Sequence, residues 1–457
     1  MKIIIIGAGQ VGSTLTEKLA TEKNELTVID TDRSLLGILN DKYDLRTVCG
    51  LGTHPDILAS AGAADAEMLV AVSESDEVNI LACQIADTLF HVPNKIARIR
   101  SREYIERSAE LFCAGGLSVD KVISPEMLVT SQIAELVFHP GTSQVMEFSN
   151  GELAIVMVKA CYGGFLVGNS LSAVKGTELD GKINIVAIVR NGKAIRLSSG
   201  TVIEGGDEVY FITQTSYIGQ CVAGLERVET PYRRVLIIGG GNIGAGLARK
   251  LQSMCQVKLV EENREKAERL SEELEKTMVF EADPTDRDFL DDEGISKTDL
   301  VIAVTSSDES NIMASSLAKR LGAKKSIALV QREIFLDLID ETNIDIAVSP
   351  QQVTISALLS NIRHADVKNV YSLRSGNSEA MEIVAHGSGE SSNVIGKKVK
   401  ELDLPQGVSV SAIIRDGASF IIADEMTLKD GDHIIIFLTD RTRVREIERL
   451  FQPSPFF

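Results

Sequence analysis

Residues 3–6 are four consecutive isoleucines, the unbroken apolar run expected of a strand buried on both faces. A glycine-rich turn follows, after which residues 12–21 place Leu15 and Leu19 four apart, on one helix face. Further strand-sized apolar runs occur at 26–29, 68–72 and 96–99, and Lys121-Val122-Ile123 makes a fifth that ends in Ser124-Pro125. Strands separated by helix-length stretches imply a parallel sheet covered by helices on both faces and joined by right-handed crossovers.

The pattern then restarts. Lys2-Ile3-Ile4-Ile5-Ile6-Gly7-Ala8-Gly9-Gln10-Val11-Gly12 returns 232 residues later as Arg234-Val235-Leu236-Ile237-Ile238-Gly239-Gly240-Gly241-Asn242-Ile243-Gly244. Ser75-Asp76-Glu77-Val78-Asn79 is answered by Ser307-Asp308-Glu309-Ser310-Asn311, and Ile123-Ser124-Pro125 by Val348-Ser349-Pro350. The chain is a duplication. After each copy run short alternating strands divided by Asn191-Gly192 or Asp416-Gly417, dipeptides that tolerate the positive φ of a tight hairpin turn. The expected fold class is α/β: two tandem Rossmann-like, doubly wound parallel sheets, each followed by a small α+β unit. The four units are expected at residues 1–140, 141–228, 229–366 and 367–457. Each Ser-Pro opens a helix-like segment, 125–139 and 350–364, since proline suits the first helical turn, where an N–H has no partner. Such a segment can pack on its own sheet or dock a neighbouring subunit, and the sequence accommodates both.

Composition narrows the partners. The 457 residues are 44% hydrophobic and 25% charged, ordinary for a globular protein. A formal net charge of -18 opposes attraction to nucleic-acid phosphate or to an anionic lipid surface, so neither is expected. No apolar run approaches the roughly 20 residues that span a bilayer, and the N-terminal isoleucines lead into the glycine turn rather than a cleavage site. The expected location is cytoplasmic, with membrane association only through a protein. Six cysteines without a CxxC pair fit reduced thiols and supply no metal framework.

The glycine turns carry the chemistry. In each copy a GxGxxG follows a strand, opens a helix and precedes an acid, Asp30 or Glu261, which is the full dinucleotide-binding context. Gly7 and Gly239 make the tight turn, Gly9 and Gly241 let backbone N–H groups approach a pyrophosphate, and Gly12 and Gly244 let helix and strand pack closely. The helix start adds partial positive charge, so Ala8, Gln10, Val11, Gly240, Asn242 and Ile243 complete the candidate loops. Asp30 and Glu261 stand where a carboxylate accepts ribose hydroxyls, which disfavours a 2′-phosphate and hence NADP. Ser73 and Glu74, with Thr305 and Ser306, lie just past the third apolar run, where ligands of open α/β sheets bind. Arg98 and Arg100 flank Ile99 on one strand face; one of them can meet a phosphate through a bidentate fork, or pair with an acid such as Asp76 or Glu77.

Catalytic machinery is not evident. The six histidines form no ligand pair at helical spacing, His54 aligns with Asp286, and no proton donor stands out for hydride transfer. GxSxG and Walker-type patterns are missing. The chain is read as a non-enzyme. An NAD-dependent oxidoreductase is the alternative, and a redox-sensing transcription factor a third reading, opposed by the charge and by the lack of a recognition-helix module.

The duplicated fingerprint, the Ser-Asp-Glu-x-Asn after the third run, the Ile-Ser-Pro and Val-Ser-Pro before the connecting helices and the small β-rich units together resemble the TrkA family, cytosolic subunits of bacterial Trk potassium uptake systems. The resemblance runs the whole length, including residues 346–359 and Gly239 to Arg249. It implies two RCK-type (regulator of potassium conductance) halves, each a Rossmann-like N-domain and a TrkA-C (RCK-C) domain. It further implies a peripheral protein on the cytoplasmic face of the inner membrane, assembled as a homo-oligomeric, tetrameric ring under a TrkH or TrkG channel. There it would bind NAD or NADH, or ATP or ADP, to control potassium flux. Family binding positions carry over onto Gly7, Gly9, Gly12, Asp30, Ser73, Glu74 and Arg98, and onto Gly239, Gly241, Gly244 and Glu261. Val330-Gln331 stands near the place of Arg98-Ile99 in the second copy, which departs from the family's phosphate contact there.

Overall fold

The computed structural model describes residues 1–22, 24–113, 115–226, 230–332, 334–336, 343–363, 366–373, 378–389, 391–421 and 425–452. Two compact units emerge, Met1–Leu128 with Pro350–Leu359, and Val129–Ser349 with Ser360–Phe457.

In the first unit, strands β1 (Lys2–Ile6), β2 (Glu25–Asp30), β3 (Arg46–Cys49), β4 (Met68–Ala71), β5 (Asn94–Arg98) and β6 (Lys121–Ile123) form one parallel sheet ordered β3-β2-β1-β4-β5-β6. Strand order reverses between β1 and β4, which opens a crevice at their carboxyl ends. The isoleucines of β1 are at most 2% exposed, as an apolar run with helices on both faces demands. β3 was not legible beforehand. It is a four-residue edge strand, Arg46-Thr47-Val48-Cys49, with no residue fully buried.

The second unit contains the repeat of this sheet and two smaller ones. β7 (Gln144–Phe148), β8 (Leu153–Lys159), β9 (Ile183–Arg190), β10 (Lys193–Ile195) and β11 (Glu208–Gln214) pair antiparallel in the order β10-β9-β11-β8-β7. The second parallel sheet, β12 (Arg234–Ile238), β13 (Gln256–Glu261), β14 (Met278–Glu281), β15 (Leu300–Ala303), β16 (Lys325–Leu329) and β17 (Ile346–Val348), repeats the first sheet's order, again with an edge strand, β14, that the apolar pattern does not announce. Then β18 (Val367–Ser372), β19 (Glu379–Val384), β20 (Val408–Arg415), β21 (Ala418–Ile421) and β22 (His433–Leu438) build a second antiparallel sheet with the same connectivity as the first. The two hairpin turns adopt the positive φ expected of them, 51° and 73° at Asn191-Gly192 and 52° and 74° at Asp416-Gly417. Just before each turn an arginine forks onto a buried aspartate: Arg190 Nε and Nη2 donate to Asp207 at 2.8 and 2.9 Å, and Arg415 repeats this on Asp432.

The small sheets share one core. Met146, Phe148, Ile155, Tyr210 and Ile212 of the first pack with Ala380, Ala412, Ile414, Ile435 and Phe437 of the second, all at most 5% exposed. Polar links seal the contact: Ser149 donates through N and Oγ to Glu382 at 3.2 and 3.0 Å, and the Tyr371 hydroxyl donates to the Glu147 carbonyl at 2.7 Å.

Both connecting helices start at their prolines, Pro125–Phe138 and Pro350–Ile362. Neither stays wholly with its own copy. From Val129 onward the first belongs to the second unit, where Lys250 Nζ donates to Ser131 Oγ at 3.1 Å, and Pro350–Leu359 belongs to the first. A third arrangement, crossing to the other copy within one chain, therefore joins the two that the sequence allowed. Among the described residues, no helix is long and apolar enough to cross a membrane.

Two candidate nucleotide clefts

At the carboxyl edge of the first sheet, Gly7 holds φ at 104°, where a side chain would be strained and its Cβ would press 2.9 Å from the Ser73 amide. Gly12 is required sterically, since a Cβ there would fall 1.8 Å from the Gly7 carbonyl oxygen. Gly9 differs. Its added Cβ would meet nothing within 4 Å, so the fold leaves open space over the loop. The helix Gln10–Thr21 begins there without a side-chain cap, so its first N–H groups face that space, with Gln10 exposed and Val11 half-buried beside them. Gln351, from the crossing helix, braces this turn by donating to Thr14 Oγ1 at 2.6 Å and to the Gln10 carbonyl at 3.4 Å.

Asp30 closes one side. Its carboxylate accepts the Ala8 amide at 2.6 Å and the Asp32 amide at 2.8 Å, which ties the end of β2 to the glycine loop. Opposite stands Ser73, fixed by Asn79, a residue the motif contained but to which the sequence assigned no role. Asn79 is fully buried; its Oδ1 accepts Ser73 N and Oγ at 2.9 and 2.7 Å, and its Nδ2 donates to the carbonyls of Ser73 and Arg98 at 3.1 and 2.9 Å. Arg98, 5% exposed, donates from Nη2 to the Ser73 carbonyl at 2.8 Å, while its Nε is buried without a partner. Burial pushes its guanidinium down to about 10 and the neighbouring Arg100 adds to this, against Glu126, Asp76 and Glu74. It stays charged at neutral pH. Arg100 is exposed, lying past the end of β5, and Asp76 is taken up by the backbone amides of Arg100 and Ser101, so of the two arginines only Arg98 is buried beside the loop. Glu74 is exposed on the rim.

The second cleft repeats most of this. Gly239 has φ 103° and stands against Thr305, Gly244 would overlap the Gly239 carbonyl, and Gly241 faces open space at the uncapped start of Asn242–Leu251, with Asn242 exposed and Ile243 half-buried. Glu261 accepts Gly240 N at 2.8 Å and Asn263 N at 3.0 Å. Thr305 is clamped by Asn311 as Ser73 is by Asn79. The register differs from the expectation by one: Asn311 Nδ2 donates to the Leu329 carbonyl at 3.0 Å, so Leu329, not Val330, stands in the place of Arg98. His54 and Asp286, aligned in sequence, both occupy helix N-cap positions.

The TrkA-N domain model matches residues 3–125 and 235–350, and the TrkA-C domain model residues 389–452. The chain is 49% identical to the Trk system potassium uptake protein TrkA of Vibrio alginolyticus over 457 residues, covering 100% of both. The chain belongs to the TrkA family. Its TrkA relatives include the protein of Haemophilus influenzae, 49% identical over 100% of both chains, and that of Halomonas elongata, 46% identical over 99% of both. Among solved structures, the GsuK RCK domain aligns with a TM-score of 0.59 at 18% identity, covering 98% of this chain and 94% of that one, a likeness of fold. The first small sheet, outside the TrkA-C match, has the strand order of the second, so the repeat within the chain extends to it.

Proposed function

We propose that this protein is the nucleotide-sensing regulatory subunit of a Trk-type potassium uptake system: a peripheral protein on the cytoplasmic face of the inner membrane that assembles as a tetrameric ring beneath a TrkH or TrkG type channel. Its working domains are residues 1–140, 141–228, 229–366 and 367–457. The observation that carries the nucleotide part is Arg98, a buried cation with an unpartnered Nε on the Ser73 side of a cleft whose opposite side Asp30 closes, with the uncapped helix start that follows β1 between them. A pyrophosphate offers what this constellation lacks, an anion reaching both the helix N–H groups and the guanidinium. Asp30, with its backbone bonds made, retains lone pairs for ribose hydroxyls. NAD or NADH is the proposed ligand, with ATP or ADP as competitors. Two facts support the reading: full-length relatives named as Trk potassium uptake proteins, and a GsuK channel of the same fold, TM-score 0.60, whose structure is described as bound to NAD.

Mechanistically, ligand in a cleft biases a conformational equilibrium by its differential affinity for the two states. Coupling of about 1–3 kcal/mol per site, added over a ring, suffices to bias a channel. The test has two readouts. Mass spectrometry of ligand retained by the purified protein should return an adenine nucleotide, and cells lacking the protein should take up potassium poorly at low external concentration until it is restored. Normal uptake supported by a folded protein that binds no nucleotide refutes the sensing mechanism.

A further inference from the structure

We infer that the two clefts are not equivalent: the first accepts a pyrophosphate, whereas the second selects an adenine nucleotide with a single phosphate. This rests on the nucleotide-binding reading above.

Two bond patterns fix the correspondence. Asn79 donates to the carbonyl of Arg98 and Asn311 to that of Leu329; Asp76 accepts the amides of Arg100 and Ser101, and Asp308 those of Gln331 and Arg332. In that register Arg98 becomes Leu329, buried at 3% exposure, and Arg100 becomes Gln331, whose amide donates to the Ser306 carbonyl. At this strand end Arg332 stands in place of Ser101, but it is bound to Glu309 and lies 3.6 Å from Asp308, so its charge is already met. What remains for an anion is the helix start, equivalent to roughly half a positive charge, which suits one phosphate. A second phosphate meets Arg98 in the first cleft and the apolar Leu329 in the second.

The adenosine side differs in the same sense. In register with Asp30 stands Cys49, whereas in register with Glu261 stands Glu281. Residues 49–54 contain no carboxylate, but residues 281–286 contain Glu281, Asp283 and Asp286, all exposed. Each added phosphate charge therefore enters a more negative rim in the second cleft. Loss of one charge-assisted contact is worth about tenfold or more in affinity.

Full-length protein with Gly241→Phe reports the first cleft and with Gly9→Phe the second, since a Cβ at either glycine meets nothing within 4 Å and neither glycine has a positive φ. Calorimetry with AMP and ADP should find ADP at least tenfold tighter than AMP in the first, and AMP at least as tight as ADP in the second. The unmutated chain should titrate with one tight ADP site. Arg98→Leu, added to Gly241→Phe, should move the ratio of the first cleft toward that of the second, while Arg98→Lys preserves it. The same ADP preference in both clefts, a ratio untouched by Arg98→Leu, or a second cleft that binds neither ligand overturns the inference and leaves the first-cleft reading standing. Failure of the unmutated protein to bind either ligand overturns the nucleotide-binding reading itself.

Discussion

Replacing Asn79 with alanine separates the clamp from the loop it organises. Its side chain is 0% exposed and makes four bonds of 2.7–3.1 Å, three to Ser73 and one to the Arg98 carbonyl. Alanine removes all four in a space without water access, leaving the Ser73 amide and the Arg98 carbonyl without this partner. Each buried polar group so stranded costs about 1–3 kcal/mol, so Asn79→Ala should destabilise the first unit by about 2–5 kcal/mol. Since Arg98 Nη2 rests on the same Ser73 carbonyl, the guanidinium should lose its position, and ADP affinity should fall about tenfold. Two units need not unfold in one step, so local hydrogen exchange at residues 73–79 and 96–99 is the appropriate readout, alongside urea unfolding. Asn311→Ala is the internal control, expected to loosen Thr305 while sparing the first cleft. Unchanged exchange at Ser73, with unfolding within about 0.5 kcal/mol of the parent, would show that the clamp contributes nothing and that the loop is held by its glycines alone.

Four further outcomes are expected. Gly12→Ala should prevent the first unit from folding natively, because its Cβ would overlap a backbone oxygen, whereas Gly9→Ala should leave the thermal transition unmoved; equal melting curves would contradict this. Asp30→Ala should cost about 1–3 kcal/mol of NAD binding and narrow the preference over NADP, both measurable by calorimetry. Burial raises the Asp299 carboxyl, but the Lys324 ammonium and the Arg234 and Arg233 amides outweigh it and hold the group below the usual aspartate range, so its stabilisation is complete above about pH 4 and is lost as pH falls through the folded value. Asp299→Asn should therefore destabilise at pH 7 by about 1–3 kcal/mol and progressively less below pH 4, and a constant difference across that range would refute the assignment. A fragment ending at residue 229 should aggregate, because it lacks Pro350–Leu359 of the first unit and bares Phe148, Ile155, Tyr210 and Ile212; a soluble, ligand-binding fragment would contradict the shared core.

Much of this architecture was legible because its signals are local. Isoleucine runs, GxGxxG spacing and Asn-Gly turns each depend on a few neighbouring residues, and their repetition in one frame made the duplication plain. β3 and β14 escaped because an edge strand pairs on one side only and needs no apolar run. Asn79 stands in the sequence as part of a repeated string, yet its role depends on Arg98, 19 residues away, which periodicity does not report. The one-residue slip between Leu329 and Val330 has the same origin, since register is set by hydrogen bonds rather than by the count of apolar positions. The crossing of the connecting helices was least accessible: Pro350 announces where a helix starts, not what it covers.

That crossing bears on how the polypeptide is made. Residues 1–128 supply all six strands of the first sheet, but the helix that completes the unit lies roughly 220 residues further on, a delay of about 10–45 s at ordinary ribosomal speeds. Through that interval the helix Gln10–Thr21 waits without the Gln351 bonds that brace its first turns. A slow codon run or a stalled ribosome before Pro350 would leave the protein vulnerable at its opposite end.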